Sequence, residues 1–196
     1  MALKLIEPPT VEPVAYDAIT QNHLEVVDAG EAAWLTHLIS IARETCEEIS
    51  KRAYMTQKWE LWLDKWDYII KLPRPPLQSV TSIKWYDADN TEHTIGSANY
   101  LVDNKSEPGR VIPVSGYSWP PGIRPINGVC ITYVAGHAAA ANVPKRYKQA
   151  ILMLAAEWNR LREATAVTGR AGQEFTDKEV PYGVKLLLGF DEVKNV

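Results

Sequence analysis

Histidine, aspartate and glutamate are the side chains that most often bind metals or transfer protons, and in this sequence they are scattered. There are four histidines, with neither the spacing of metal ligands nor partnering cysteines: His23, His37, His93 and His137. Residues 87–92 begin like a calcium loop. They lack the glycine and the closing glutamate of such a loop, which favours a hairpin turn over an ion site. The pattern predicts no bound metal.

Motifs for phosphate binding and covalent catalysis are also missing. The sequence contains no P-loop, no dinucleotide-binding glycine motif and no nucleophile elbow. Gly169 to Gly172 encloses an arginine but does not follow a predicted strand, which favours a loop over a phosphate site. Asp64 and Asp67 flank Trp66 in a predicted turn, where solvated charge explains them better than acid–base catalysis. We therefore expect neither an enzyme nor a cofactor.

Arginine and tryptophan offer the chemistry of protein interfaces instead. The chain has seven tryptophans, whose large amphipathic rings serve both cores and interfaces. Arg74 and Arg124 each stand beside proline, where a guanidinium is able to grip a carboxylate, although solubilising charge explains them equally well. Trp119, on a Pro-Pro-Gly loop, is either a lid over the local core or an anchor for a partner.

Composition indicates an ordinary globular chain of 196 residues with 46% hydrophobic and 23% charged residues, enough for one domain or one domain with an insert. The net charge of −3 argues against nucleic-acid binding through the overall field. No apolar run approaches the length of a membrane span, and the first residues do not resemble a signal peptide. Cys46 and Cys130 are expected to be buried thiols in a reducing cytoplasm, with a disulfide between them as the alternative.

The prolines at positions 73, 75 and 76 exclude both helix and central strand and divide the pattern of elements. The hydrophobic periodicity predicts helices at 14–24, 28–53, 144–163 and 181–188, and strands at 57–63, 68–72, 80–86, 100–103, 110–114 and 129–134. We expect the most apolar strand, 129–134, to be central. Residues 1–13 are expected to form an extended arm, 164–178 a mobile loop and 189–196 a free tail.

The predicted fold class is α+β, a helical bundle body with an inserted antiparallel β-rich subdomain. The predicted boundaries are residues 1–55 for the arm and first helices, 56–137 for the β-rich insert, and 138–196 for the C-terminal helices, loop and tail. The proline run is expected to be the stiff point at which the insert departs from the body.

Several short motifs occur in an order that spans nearly the whole chain. They are Glu12-Pro13-Val14, Ala42-Arg43-Glu44, Gln57 with Trp59, Leu72-Pro73-Arg74-Pro75-Pro76-Leu77, Tyr100 with Val102 and Asp103, Trp119-Pro120, Ala135-Gly136, Val143-Pro144, Lys148-Gln149-Ala150-Ile151, and Pro181 with Gly183, Val184, Leu187 and Leu188. With this ordered set the sequence resembles the small head–tail connector (adaptor) proteins of siphovirus-type tailed phages and gene transfer agents.

The resemblance implies a structural role in the neck of a virion or phage-like particle that is assembled in the bacterial cytoplasm. Such connectors form a closed ring of roughly a dozen copies beneath the portal protein. The ring offers a platform for the stopper or tail-completion protein, and double-stranded DNA passes through it without sequence-specific binding. The interface residues expected on this basis are Trp34, Arg74, Trp119, Arg124, Leu188 and Phe190. The alternative function is a small module that binds a ligand or peptide with the aromatic-rich β insert, in a pocket where aromatic and polar groups converge.

Overall fold

The structure, a computed structural model, describes residues 1–16, 29–168 and 180–189, and these fall into two units. A β unit consists of Met1–Thr10 and Lys51–Ala138, and a helical unit of Val11–Ser50 and Ala139–Val196. The mixed α+β class is confirmed. The structure places residues 1–10 and 51–55 in the β unit, whereas the predicted boundaries assign them to the helical part. Most of the predicted helix 14–24, its neighbour Asp28, and the predicted tail after Gly189 lie outside the described residues.

The described part of the β unit has eight strands, several of them at the predicted positions. They are β1 Ala2–Glu7, β2 Gln57–Leu63, β3 Ile70–Leu72, β4 Leu77–Tyr86, β5 Glu92–Ile95, β6 Tyr100–Asp103, β7 Gly109–Pro113 and β8 Val129–Ala135. They form a five-stranded sheet in the order β1-β2-β8-β4-β5 and a three-stranded sheet in the order β3-β7-β6, and all pairs are antiparallel. The predicted central position of β8 is confirmed.

The inner faces of the two sheets form one core. On β2, Leu61 and Leu63 are buried and pair with Ile131 and Val129 of β8, so alternate residues such as Trp62 belong to the outer face. From the smaller sheet, Ile70, Leu72, Tyr100 and Val111 belong to the same hydrophobic cluster. Because both sheets turn their inner faces to this cluster, their outer faces point in opposing directions.

The proline run joins β3 to β4 and therefore lies inside the β unit rather than at its point of departure. Its carbonyl groups act as acceptors: the backbone N–H of Ala53 donates to Pro75 at 3.1 Å, and that of Gly136 donates to Pro76 at 2.8 Å. The Tyr133 hydroxyl donates to the Pro73 carbonyl at 2.9 Å. Prolines that cannot donate thus accept bonds from both sides while the chain passes from one sheet to the other.

The residues expected to form an extended arm include strand β1, which lies at the edge of the five-stranded sheet and pairs with β2. Strand β5, which follows the turn after β4 and pairs with it, was not predicted from the sequence. A short strand whose one apolar residue is Ile95 carries a weak alternation signal. Its place at the edge comes from the hairpin that precedes it.

The described helices of the helical unit are α1 Ala29–Ser50, α2 Lys145–Thr168 and α3 Tyr182–Gly189. Each helix contributes buried apolar residues to the unit. They include Leu35, Leu38, Ile39 and Ala42 of α1, Ala150, Ile151, Leu154 and Ala155 of α2, and Val184 and Leu188 of α3. Helix α2 runs to Thr168, past the predicted end near Glu163 and into the segment expected to be a loop. None of the helices in the described ranges is long and apolar enough to cross a membrane.

Both cysteines are buried thiols, as predicted. Cys46 lies on α1 in the helical unit and Cys130 on β8 in the β unit. Burial raises the pKa of Cys46 to about 12 and that of Cys130 to about 11, because a thiolate is poorly solvated there. Neither thiol therefore has the thiolate character of a reactive cysteine.

Candidate functional site

Among the described residues, no group of three or more histidine, cysteine, aspartate and glutamate side chains is placed to hold a metal ion. Residues 87–92, which begin like a calcium loop, contain a turn. In it Asp87 accepts hydrogen bonds from the backbone N–H groups of Asp89 and Thr91 and contacts His93 Nε2 at 2.7 Å. These bonds lower the pKa of Asp87, and the bond with His93 has the largest effect. Its carboxylate serves the turn between β4 and β5.

Trp119 packs as a lid on its own unit. Its indole ring stacks on that of Trp66, with 4.7 Å between ring centroids and 8° between planes, and Tyr117 meets it edge-on at 6.4 Å. The indole N–H donates to the Asp67 carbonyl at 3.0 Å. All three rings are partly buried against the hydrophobic core. The predicted lid is present, and the half-buried ring keeps an accessible face.

Arg124 is held over an aromatic pair at the outer face of the five-stranded sheet. Its guanidinium lies 4.1 Å from the centroid of the Tyr86 ring, which stacks on Trp62 at 6.1 Å. Its Nε and Nη2 both donate to the Asn127 carbonyl, at 3.1 and 2.8 Å. The Tyr86 hydroxyl donates to Glu92 at 2.7 Å, and this bond is the main reason that the pKa of Tyr86 rises to about 12. The structure thus brings tryptophan, tyrosine and arginine together in a fixed arrangement.

Arg74 lies within the proline run in a left-handed backbone conformation, with φ of +61°. Its guanidinium is 5.4 Å from the centroid of the Trp59 ring, so it contacts a tryptophan of the inner face of β2. The side chain is half-buried. The structure therefore gives Arg74 a role within the β unit, apart from the cluster formed by Arg124.

The remaining predicted interface residues belong to the helical unit. The Trp34 indole N–H on α1 donates to Oδ1 of buried Asn159 on α2 at 3.0 Å, and the ring is half-buried. Leu188 is fully buried among the apolar residues of that unit. Phe190 lies outside the described residues. Trp34 and Leu188 thus belong to the helical unit, whereas Arg74, Trp119 and Arg124 belong to the β unit.

An apolar groove on the three-stranded sheet was missed by the sequence analysis. It has a volume of about 350 Å³ and is lined by Tyr68, Ile69, Leu101, Val102, Asp103, Arg110 and Ile112. The apolar side chains are largely open to solvent, with exposures of 70% for Tyr68, 56% for Leu101, 45% for Ile69 and 39% for Val102. A signal was present in the sequence, since the consecutive apolar residues 101 and 102 cannot both turn inward on one strand.

The charged lining residues of this groove bind each other. Arg110 Nε donates to Asp103 Oδ2 at 2.8 Å, and the same carboxylate accepts bonds from the Ser106 hydroxyl and from the backbone N–H of Lys105. These bonds hold the pKa of Asp103 well below its usual range, and the bond from Ser106 has the largest effect. The carboxylate is therefore ionised at neutral pH and neutralised by its neighbours.

A second missed feature is the buried ion-pair cluster of Arg43 in the helical unit. Arg43 Nε donates to Glu12 at 2.8 Å and Nη1 donates to Glu47, one turn further along α1, at 2.7 Å. Burial lowers the pKa of Arg43, and the two carboxylates more than offset this, so the net shift is upward. The spacing of Arg43 and Glu47 at i and i+4 was visible in the sequence, whereas the contact with Glu12 depends on the fold.

Comparison with known proteins gives a full-length likeness to solved structures, while no protein-family model and no curated protein matches the chain. A chain from the neck of an empty GTA (gene transfer agent) particle, computed with C6 symmetry, superimposes with a TM-score of 0.76 and 22% identity, covering 100% of this chain and 97% of the other. A chain from the virion of a native gene transfer agent particle gives 0.74 and 22% over the same shares. A chain from the neck of a native GTA particle, computed with C12 symmetry, gives 0.69 and 24%, covering 98% and 97%. The fold of this chain is therefore that of these particle chains along its whole length.

Proposed function

We propose that this chain is a structural head–tail connector subunit in the neck of a tailed phage or phage-like particle. The observation that carries the proposal is the likeness in fold, over 97% or more of both chains, to proteins in gene transfer agent particles, two of them from neck structures. A shared fold alone does not establish function. It gains weight from the ordered motifs, which indicate the same class of protein independently of the structure.

In the proposed assembly, copies of the chain form a closed ring beneath the portal protein. The symmetry of the similar neck structures, C6 and C12, supports a cyclic arrangement. The opposite side of the ring meets the stopper or tail-completion protein. Double-stranded DNA passes through the centre, and the net charge of −3 suits a channel that does not hold phosphates. The ring would be added in the bacterial host cytoplasm and persist in the particle.

The alternative of a ligand- or peptide-binding module has less support. The aromatic residues of the β unit bind one another, Trp66 with Trp119 and Trp62 with Tyr86, instead of converging on a common cavity. The groove of the three-stranded sheet is apolar, and its two charged residues are paired with each other. A site for a small ligand needs polar groups that orient the ligand.

Co-assembly with the portal protein of the same phage or phage-like particle tests the proposal. The two proteins are purified separately and mixed, the mass of the product is followed by light scattering, and its shape by negative-stain electron microscopy. We expect a ring-shaped addition on the portal. A chain that stays separate from the portal at high concentration would contradict the proposed function.

A truncated chain that ends at Leu188 locates the docking element in the same experiment. Loss of the addition on truncation indicates that residues 189–196 dock on the portal. An addition that survives truncation assigns docking to another surface and leaves the connector function in place. The portal protein alone is the control for mass and shape.

A further inference from the structure

The groove of the three-stranded sheet, defined by Tyr68, Ile69, Leu101, Val102 and Ile112, is an apolar surface open to solvent. Contiguous exposed apolar residues with a polar rim mark surfaces that meet other proteins. Leu101 of β6 and Ile112 of β7 stand side by side in the register of the sheet, so they belong to a regular face instead of a loop tip. Strand β6 is also the edge of that sheet.

From this surface we propose that the groove binds a second copy of the same chain, which covers it with the outer face of its five-stranded sheet. The contact face of that sheet is the aromatic–arginine cluster, defined as Trp62, Tyr86 and Arg124. The inference rests on the proposed function, because it assigns the surfaces through which neighbouring subunits of the ring meet.

Ring geometry explains why two different surfaces are needed. In a head-to-tail ring each copy uses one surface towards the copy before it and another towards the copy after it. Twelvefold symmetry turns each subunit by 30° (360°/12), so the two surfaces must lie on nearly opposite sides of the subunit. The outer faces of the two sheets meet this requirement, because their inner faces share one core.

The chemistry of the aromatic–arginine cluster complements the groove. Tryptophan, tyrosine and arginine are the residues most often found to dominate binding energy at protein interfaces. Here Trp62 and Tyr86 are stacked, and Arg124 is held on Tyr86 by two bonds to the Asn127 carbonyl, so little side-chain freedom is lost on contact. An apolar groove accepts such a pre-ordered aromatic surface by excluding water.

The polar groups of the groove favour a protein surface over a small ligand. Asp103 and Arg110 already neutralise each other at 2.8 Å, and Asp103 accepts further bonds from Ser106 and Lys105. A charged ligand would have to break these bonds. A broad apolar contact leaves them intact at the rim, in the usual arrangement of a hydrophobic centre within a polar border.

Two single-surface variants test the inference. Leu101→Lys places a charge in the groove, and Trp62→Lys places one in the aromatic–arginine cluster. Arg124→Glu is a second cluster variant for the case in which Trp62→Lys does not fold. The matched control is Leu5→Lys, because Leu5 of β1 is apolar, 41% exposed and in the same unit, and it pairs with Trp59 on the inner-face side of β2 instead of the side of Trp62. Circular dichroism and thermal melting establish that each variant is folded.

Self-association is measured by sedimentation equilibrium up to about millimolar concentration, and as ring formation on the portal protein. We expect Leu101→Lys and Trp62→Lys each to raise the dissociation constant between copies at least about tenfold, and Leu5→Lys to behave as wild type. A mixture of the two variants should form a one-to-one dimer that does not grow further, because one intact groove then meets one intact cluster.

The outcomes separate this inference from the proposed function. If the wild type forms rings and Leu101→Lys forms them equally well, the groove is not the subunit contact, while the connector function stands. If both single variants fail but their mixture forms no dimer, the contact does not join groove and cluster. If the wild type forms no ring either alone or on the portal, both proposals are wrong.

Discussion

Arginine side chains of this protein serve different purposes according to their burial. The side chain of Arg43 is 4% exposed and binds Glu12 and Glu47 at 2.8 and 2.7 Å. The side chain of Arg160, on α2, is 67% exposed and binds Glu157 at 2.8 Å. The N–O distances in the two cases are similar, but only the Arg43 side chain is withdrawn from water. Burial therefore decides how much each contributes to stability.

Replacing Arg43 by alanine should destabilise the protein by about 3–5 kcal/mol, because it removes one side of a buried ion pair and leaves the charge of Glu47 in place. The free energy of unfolding is measured by urea denaturation at neutral pH. Arg160→Ala is the matched control and should cost about 0–1 kcal/mol, since its pair is screened by water. Equal losses for the two variants would show that the Arg43 cluster has no special weight.

At the residue scale, the candidate interface side chains were partly recognisable from the sequence. Arg124 and Trp119 stood out because arginine and tryptophan occurred beside proline and glycine. The sequence did not reveal that Trp119 stacks on Trp66 or that Arg124 lies on Tyr86, because these contacts join residues that are distant in the chain. A side chain's role as lid or anchor depends on such contacts.

At the scale of elements, the end of β8 depends on a single glycine. Gly136 has φ of +99°, and a Cβ at this position would lie 1.9 Å from the carbonyl oxygen of Met55. Its N–H donates to Pro76 at 2.8 Å, and its carbonyl accepts from Gln78 Nε2 at 2.7 Å. Here the segment before β2, the proline run and the central strand come together. No larger residue fits without moving the backbone.

Gly136→Ala should therefore lower the stability by more than the roughly 1–3 kcal/mol of left-handed backbone strain alone. The midpoint of thermal unfolding measures the effect. Gly116→Ala is the control, because Gly116 also has a positive φ, +83°, but no atom lies within 4 Å of the position of its Cβ. If Gly116→Ala proves as costly as Gly136→Ala, backbone strain and not the close approach to Met55 is the cause.

Elements with a strong local signal were the most predictable from the sequence. Strand β2 was predicted with its observed bounds, and β8 was predicted as the central strand, because continuous or alternating apolar residues are visible without knowledge of neighbours. Strands β1 and β5 were not predicted. Both are edge strands, and their conformation comes from pairing with β2 and β4.

At the scale of the whole molecule, the net charge of the chain bears on the proposed passage of DNA. The chain has 21 lysine and arginine residues against 24 aspartate and glutamate residues. Affinity for duplex DNA comes mainly from phosphate neutralisation by lysine and arginine, with release of counterions. A chain with an acidic excess therefore lacks the overall field that would hold DNA, which suits the proposed channel.

We expect no binding of a fluorescein-labelled DNA duplex by fluorescence anisotropy at about 150 mM salt, at protein concentrations up to about 100 μM, the weak end of typical non-specific affinity. The titration is repeated at about 50 mM salt, where any electrostatic contact is strengthened. Binding that weakens steeply between the two salt concentrations would reveal a local basic surface and contradict a passive channel.

The sequence by itself determined the α+β class, the central strand and the absence of common catalytic motifs. It did so because hydrophobic periodicity, proline and motif spacing are local properties of the chain. Only the tertiary structure decided that the proline run joins two sheets, that an apolar groove stays open on the smaller one, and that Trp62, Tyr86 and Arg124 form one cluster on the other. These features arise from the pairing order of strands distant in sequence, which local patterns do not specify.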